Sequence, residues 1–200
     1  MAGLIGVFGG TFDPPHYGHL ILAEEARHAL HLEQVLWVVT ARPPHKPRQP
    51  VTPVDVRLAL VQAAIADNPA FALSLADVER PAPHYAVGTL HWLQARHPEA
   101  GLVYLMGSDS LRDLPNWHAP REFIEACTAI AVMRRPGAEV DLVRLERLVP
   151  GLRLRVRYFD APLLSLSAQE VRRRVHAGRS YRYLVPPAVA DLIADLGLYR

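Results

Sequence analysis

Short runs of apolar residues alternate along the chain with longer segments whose apolar positions recur every three or four residues. Residues 4–8 form the first apolar run, residues 9–15 interrupt it with glycine and proline, and residues 19–32 show helical spacing. This order predicts a strand, a loop and a helix.

The same unit repeats toward the carboxyl end. Further strands are predicted at 35–39, 71–75, 102–106, 129–133 and 152–159, and further helices at 54–66, 85–95, 121–126, 141–148, 167–177 and 187–196. Alternating strands and helices are typical of a mostly parallel sheet with helices on both faces. We therefore expect an α/β fold with a C-terminal helical segment and a single domain over residues 1–200.

Composition narrows the classes of function. The 22 basic and 20 acidic side chains leave a formal charge of +2, which does not indicate the clustered basic face of a nucleic-acid-binding protein. No segment reaches the roughly 20 apolar residues of a membrane span. We expect a cytoplasmic protein that binds neither membranes nor nucleic acid, and composition leaves its oligomeric state open.

The single cysteine, Cys127, rules out a disulfide framework and a multi-cysteine zinc site within this sequence. It lies beside an apolar run. We expect it to be a small buried hydrophobic residue.

Ligands of open parallel sheets bind beyond the carboxyl ends of the strands, so the loops after residues 8, 39, 106 and 159 are the places to look for chemistry. The first loop has neither the GxGxxG spacing nor the lysine of a P-loop. Its glycines permit close approach of a ligand, and a helix beginning near His16 presents unpaired N–H groups to an anion. His16 and His19 share one face of that helical turn, where either ring can donate to a phosphate oxygen.

Two other interpretations of this loop stay open. Two histidines near a helix start are often merely exposed polar residues. Asp13, His16 and His19 are also residue types that ligate zinc or iron, although no further histidine or aspartate lies nearby in the sequence.

The first loop carries the signature Gly-x-Phe-Asp-Pro-x-His-x-Gly-His, matched by Gly10, Phe12, Asp13, Pro14, His16, Gly18 and His19. It resembles the nucleotidyltransferase superfamily, which implies a Rossmann-like sheet. In that family the two histidines and adjoining backbone amides hold the ATP phosphates without a covalent intermediate. The resemblance makes His16 and His19 catalytic, and places Gly9, Gly10, Thr11 and Phe12 in the ATP site.

A second signature of this superfamily, Ile-Ser-Ser/Ala-Thr-x-Ile-Arg, resembles residues 166–172, with Gln169 where threonine is usual. Ser167 and Glu170 also have the spacing of a capping box, which needs no ligand. Residues 172–174 are three arginines early in the predicted helix, where positive charge is disfavoured unless an anion is present. The resemblance assigns Arg172 to a catalytic phosphate contact and Ser167 to ATP binding.

Segments 43–46, 107–109, 114–117, 134–137 and 182–186 resemble the bacterial nicotinate mononucleotide adenylyltransferases, so the resemblance spans essentially the whole chain. It implies transfer of the adenylyl group of ATP to nicotinate mononucleotide, giving nicotinate adenine dinucleotide and pyrophosphate in NAD biosynthesis. Magnesium would accompany ATP, without a metal site built from protein side chains. An enzyme for another acceptor, such as phosphopantetheine, and a regulatory nucleotide-binding module are the rival functions.

The resemblance also implies further site residues. These are Lys46, Tyr85, Trp117 and Arg134 for the acceptor, and Gly107 and Asp109 for ATP. Alternatives exist for three of them. Lys46, the only lysine, could be an exposed loop charge, and Trp117 could be a partly buried core residue rather than a stacking platform. Asp109 could cap a helix as well as bind ribose hydroxyls. Ala86 and Gly88 depart from the family pattern Tyr-Thr/Ser-x-Asp-Thr-Leu, so no side-chain contact is expected from them.

Overall fold

The computed structural model describes residues 3–42, 51–134 and 139–200. Within these residues one sheet contains β1 (Leu4–Gly10), β2 (Gln34–Val39), β3 (Phe71–Ser74), β4 (Gly101–Gly107), β5 (Ala129–Met133) and β6 (Val156–Phe159). The strand order is β3-β2-β1-β4-β5-β6, and every neighbouring pair is parallel. The predicted α/β sheet is confirmed, and it is parallel throughout.

The helices of the described chain lie between and after these strands. They are α1 (Tyr17–Ala29), α2 (Val54–Ile65), α3 (Ala76–Glu79), α4 (Ala86–Arg96), α5 (Ser108–Asp113), α6 (Pro120–Glu125), α7 (Leu142–Leu148), α8 (Leu152–Arg155), α9 (Ala168–His176) and α10 (Pro187–Asp195), with a 3-10 turn at Leu114–Asn116. None of these helices has the length and apolar character that crossing a bilayer requires.

Two hydrophobic layers cover the two faces of the sheet. Successive side chains of a strand point to opposite faces, so Phe8 of β1 packs in one layer and Val7 in the other. The first layer is covered by α1, α2, α9 and α10, and the second by α4, α5, α6 and α7. The prediction of helices on both faces is confirmed.

The predicted strand at 152–159 is wrong in its first half, because Leu152–Arg155 forms helix α8. The Glu146 carboxylate accepts the backbone N–H groups of Gly151 and Arg153, each at 2.8 Å, and so satisfies donors at the start of this turn. Gly151 has φ of 92°, which favours glycine, and it turns the chain into α8. The cap lies five residues before the turn that it stabilises, which a strand pattern cannot reveal.

The first helix begins earlier and ends earlier than predicted, at Tyr17–Ala29 instead of 19–32. The shift matters because it places His16 at the N-cap and His19 at the third helical position. Helices α3 and α5, of four and six residues, were not predicted.

Cys127 is buried, with 1% of its surface exposed. Burial raises the pKa of its thiol to about 12, so the reactive thiolate is scarce at neutral pH. The prediction of a structural cysteine is confirmed.

Candidate active site

The carboxyl ends of the parallel strands form one edge of the sheet, and the predicted site residues cluster along it. β1 lies between β2 and β4, and the strand order runs outward from it in both directions. Such a switch point opens a crevice between the two loops that leave the central strands. Here residues 11–16 follow β1 as a loop, and helix α5 follows β4 directly.

The two signature histidines stack on one another at the start of α1. Their ring centroids are 3.7 Å apart with an interplanar angle of 26°. His16 is buried, and Gly18 makes room for it, because a Cβ on Gly18 would lie 3.1 Å from the imidazole. The predicted juxtaposition of the rings is therefore present, and the interpretation of both as exposed polar residues is wrong.

The hydrogen bond at this helix start determines which nitrogen of His19 carries the proton. The His16 backbone N–H donates to Nδ1 of His19 at 3.2 Å. A neutral imidazole has one donor and one acceptor nitrogen. Nε2 of His19 is therefore the donor, which is the form that a phosphate oxygen requires.

The glycines of the first loop are explained by packing within the protein. Phe12 adopts a left-handed φ of 48° and is buried, with its ring edge-on to Phe8 at 5.3 Å. A Cβ on Gly10 would lie 2.8 Å from the Phe12 ring, and a Cβ on Gly9 would lie 2.7 Å from the Tyr104 hydroxyl. The absence of side chains at Gly9 and Gly10 thus leaves room for the Tyr104 and Phe12 rings to pack against the end of β1.

Asp13 joins the first loop to distant parts of the chain. Its Oδ1 accepts the Tyr199 hydroxyl at 2.7 Å, and its Oδ2 accepts the Thr52 backbone N–H at 3.2 Å. The Arg172 guanidinium donates to the Asp13 carbonyl at 2.6 Å. Both carboxylate oxygens thus have protein partners, which does not favour the metal-ligand interpretation. Across the described ranges there is also no group of three His, Cys, Asp or Glu side chains suited to a metal ion.

The three consecutive arginines of α9 have different partners. Glu170 pairs with Arg173 at 2.8 Å and with Arg174 at 2.8 Å, and these pairs hold the Glu170 pKa below its ordinary value. Arg172 instead reaches the first loop through the Asp13 carbonyl. Of the three cations, Arg172 is the one placed beside the histidine loop, and the phosphate contact that the resemblance assigns to it stays a prediction.

Ser167 is the N-cap of α9, and its hydroxyl accepts the Glu170 backbone N–H at 3.2 Å. The capping half of the predicted box is therefore present, while the Glu170 carboxylate turns to the arginines instead of back to Ser167. The hydroxyl proton of Ser167 stays available to donate to an oxygen of a ligand. Gln169 lines a recess together with Arg172 and Tyr199.

Gly107 and Asp109 lie where β4 passes into α5. Gly107 is the N-cap and Asp109 is the second helical residue, so Asp109 is not the cap, although its charge suits the helix start. Arg112 pairs with Asp109 at 3.7 Å in an exposed position. Ser108 donates to the Met133 carbonyl at 2.9 Å and so ties the ends of β4 and β5 together.

Tyr85 and Trp117, which are predicted to bind the acceptor nucleotide, lie in adjoining segments. The Tyr85 ring stacks on His118, the neighbour of Trp117, at 4.1 Å with an interplanar angle of 19°. Trp117 is half-buried and meets Phe123 edge-on at 5.1 Å. Trp117 is thus partly buried against the core, and its stacking role stays a prediction.

Arg134 follows β5 and contacts β6. Its guanidinium reaches both oxygens of Asp160 at 3.2 Å and lies 5.0 Å from the centre of the Tyr158 ring. The pair is exposed, so a phosphate could compete with Asp160 for it. Lys46 and residues 135–137 lie outside the described residues, and the roles predicted for Lys46 and Arg134 stay predictions.

Comparison with known proteins shows the family to which the chain belongs. The cytidylyltransferase-like family matches residues 7–174, which include both histidines and Arg172. The chain belongs to this family. The nucleotidyltransferase resemblance of the first loop is thereby confirmed.

Full-length relatives carry a narrower name. The probable nicotinate-nucleotide adenylyltransferase of Thermomicrobium roseum is 48% identical over 98% of this chain and 91% of the relative. The one of Salinibacter ruber is 43% identical over 98% and 97%. The resemblance to the nicotinate mononucleotide adenylyltransferases is confirmed by these relatives.

Solved structures share the fold at lower identity. The Plasmodium falciparum nicotinic acid mononucleotide adenylyltransferase complexed with NaAD has a TM-score of 0.80 at 18% identity, covering 98% of this chain and 97% of that one. A putative nicotinate-nucleotide adenylyltransferase from Vibrio parahaemolyticus has a TM-score of 0.69 at 20% identity, covering 99% and 96%. The predicted Rossmann-like fold is consistent with both.

The departure of this family member at Gly88 has a visible cause. Arg80 occupies the space beside it, and a Cβ on Gly88 would lie 3.0 Å from the guanidinium. Asp77, which is buried, supplies the carboxylate partner at 2.9 Å. Arg80 also donates to the Tyr85 carbonyl at 3.0 Å. The Asp77–Arg80 ion pair therefore holds the backbone of Tyr85, which is predicted to bind the acceptor nucleotide. Sequence reasoning did not single out Asp77 or Arg80.

Arg57 of α2 was also missed. It is 1% exposed and lies at helical spacing from the buried residues Leu60 and Val61. A charged residue at helical spacing from apolar residues, in a helix that is apolar nearly all round, is the signal that could have identified it, because buried charges need specific partners.

Removal of the Tyr199 hydroxyl is expected to loosen the first loop. Tyr199→Phe leaves a buried carboxylate oxygen of Asp13 without this donor, at a cost of about 1–3 kcal/mol. We expect a lower melting temperature and a several-fold lower kcat, measured by thermal unfolding and steady-state kinetics. Tyr181→Phe is the matched control, since the Tyr181 hydroxyl makes only a 3.4 Å bond to the Ala190 carbonyl. Equal behaviour of the two variants would contradict a role for the Tyr199 contact.

Proposed function

We propose that this protein transfers the adenylyl group of ATP to nicotinate mononucleotide, producing nicotinate adenine dinucleotide and pyrophosphate. The observation that carries the proposal is the joint position of His16, His19 and Arg172. The two rings stack at the start of α1, and the guanidinium is tied to the same loop through the Asp13 carbonyl. The names of the full-length relatives support the same reaction.

The chemistry demands positioning rather than proton removal. The 5′-phosphate of the mononucleotide is already ionised, so it can attack the α-phosphorus of ATP in line without a general base. The bond to pyrophosphate then breaks, and negative charge grows on the leaving group. Preorganised donors that meet this charge lower the barrier.

Each residue of the ATP side has a part in this scheme. Nε2–H of His19 donates to a phosphate oxygen, because its Nδ1 is already occupied by the His16 N–H. Arg172 has further N–H groups beyond the one that donates to Asp13, and these can stabilise the departing pyrophosphate. Ser167 offers its hydroxyl proton from the start of α9.

On the acceptor side, Trp117 offers a ring surface to the pyridine ring, and Tyr85 holds the adjoining segment by stacking on His118. Arg134, which now pairs with Asp160, would exchange this partner for the phosphate of the mononucleotide. Lys46 is proposed to add a second positive charge there. A carboxylate on the pyridine ring would accept backbone N–H groups near Trp117.

Magnesium is proposed to arrive with ATP and to be held mainly by the phosphates and water, as is usual for this ion. The Asp13 carboxylate fits a structural role better than a metal ligand, because Tyr199 and Thr52 use both of its oxygens. The partners are ATP and nicotinate mononucleotide rather than nucleic acid or a membrane, and a cytoplasmic location belongs to the same proposal.

A pyrophosphate-release assay tests the reaction and its closest rival together. The purified protein is mixed with ATP, magnesium and either nicotinate mononucleotide or 4′-phosphopantetheine. We expect release with nicotinate mononucleotide alone and a matching amount of the dinucleotide product. Release with phosphopantetheine instead would contradict the acceptor, and release with neither would favour the regulatory module.

A further inference from the structure

We propose that Arg57 is a positioning residue of the adenylyl-transfer site. Its buried guanidinium holds the backbone of the first loop in the conformation that binds phosphate and places a positive charge next to that loop. The inference rests on the function proposed above. It concerns a residue that contributes no atom to the two signatures.

The Arg57 guanidinium joins three segments of the described chain. It donates to the Thr11 and Thr40 carbonyls at 2.9 Å each, to Ala41 at 3.1 Å and to Thr52 at 2.8 Å. Thr11 belongs to the first loop, Thr40 and Ala41 follow β2, and Thr52 precedes α2. One side chain therefore sets the distances between the loops that leave the two adjacent strands.

Asp13 adds a second connection between the same segments, since its carboxylate accepts the Thr52 N–H at 3.2 Å. Thr52 thus bonds Arg57 through its carbonyl and Asp13 through its N–H. The Thr40 N–H also donates to the Gly10 carbonyl at 2.9 Å. The loop that presents His16 is consequently held at Gly10, Thr11 and Asp13.

The buried charge is the second part of the inference. Arg57 is 1% exposed, and in the described part of the chain no carboxylate forms an ion pair with it. Its four acceptors are neutral carbonyls, which satisfy the N–H groups without cancelling the charge. Burial lowers the Arg57 pKa, while Asp13 and Tyr199 nearby oppose this effect, and an arginine stays charged. In a poorly screened interior its field reaches the loop that binds the phosphates.

This arrangement separates Arg57 from residues that merely stabilise the core. Leu60, which is fully buried on the same helix, packs in the hydrophobic layer and has no polar side-chain group to bond Thr11. Loss of Arg57 leaves four carbonyls without their donor and removes the charge. The effect should therefore fall on anion binding and turnover, beyond any loss of stability.

The experiment compares Arg57→Met, Arg57→Lys and the control Leu60→Ala at a temperature where circular dichroism shows each to be folded. Inorganic pyrophosphate binding is measured by calorimetry without acceptor, and kcat and KM are measured separately. We expect Arg57→Met to weaken pyrophosphate binding at least about tenfold and to lower kcat about 10²-fold, the scale of a small displacement of catalytic groups. Arg57→Lys should recover part of both because it keeps the charge, and Leu60→Ala should bind pyrophosphate like the unaltered protein.

Unchanged pyrophosphate affinity and kcat in folded Arg57→Met would overturn the inference. If that variant does not fold, Arg57→Lys decides, because values equal to those of the unaltered protein would overturn it and an intermediate loss would support it. Pyrophosphate binding needs no turnover and no acceptor. This test therefore stays valid even if the proposed acceptor is wrong, and its result can be distinguished from a failure of the proposed function.

Discussion

His19→Ala is expected to lower turnover by roughly two to three powers of ten, the effect of deleting one donor to a developing charge. The His16 N–H fixes Nδ1 of His19 as an acceptor, so Nε2 carries the proton that the proposed phosphate contact uses. Steady-state kinetics with both substrates give the change in kcat. His28→Ala, an exposed histidine on the same helix, is the matched control and should keep full activity.

A second variant separates catalysis from helix capping. Alanine at residue 19 also removes the acceptor for the His16 N–H, which costs about 1 kcal/mol in a typical cap. His19→Glu keeps an acceptor at the third helical position, where glutamate is the usual capping-box residue. It should retain stability yet be at least as inactive as His19→Ala, because it places negative charge at the anion site. A folded His19→Ala protein with near-normal turnover would refute the phosphate role.

The second large effect concerns the acceptor. Nicotinate mononucleotide should exceed the nicotinamide form in kcat/KM by roughly ten- to several-hundredfold. A carboxylate offers two acceptor oxygens, whereas the NH2 group of an amide is a donor and would face a backbone N–H that is also a donor. One buried donor left unpaired in this way costs on the order of 1–3 kcal/mol. The segments that would hold this group are those of Tyr85 and Trp117, joined by the stacking of Tyr85 on His118.

Measurement of kcat/KM for both mononucleotides at one magnesium concentration tests the preference. Trp117→Ala provides the internal comparison, since loss of the ring surface should weaken both acceptors while preserving their ratio. An equal or reversed ratio in the unaltered protein would show that the site does not discriminate by charge. Adenylyl transfer itself would be unaffected by that outcome.

Local spacing carried much of the prediction. Three residues separate His16 from His19, and a helical turn brings such positions onto one face whatever surrounds it. The Ser167 cap and the alternation of strands with helices are also short-range features, so a mostly parallel sheet and two histidines on one face of a helical turn followed from the sequence. The predicted enzyme class rested on motif resemblance, and the relatives confirm it.

Tertiary structure alone decided what holds those groups. The bond between Tyr199 and Asp13 joins residues 186 positions apart, and Arg57 reaches Thr11 across 46 positions. No periodic pattern encodes such contacts, because they depend on how α2 and the C-terminal segment pack against the sheet. The same holds for Gly10, whose missing side chain makes room for Phe12. The sequence by itself determined the order of strands and helices and the residues predicted to meet phosphate. The packed chain determined which distant segments hold those residues, through buried hydrogen bonds that join the first loop to α2 and the C-terminal segment.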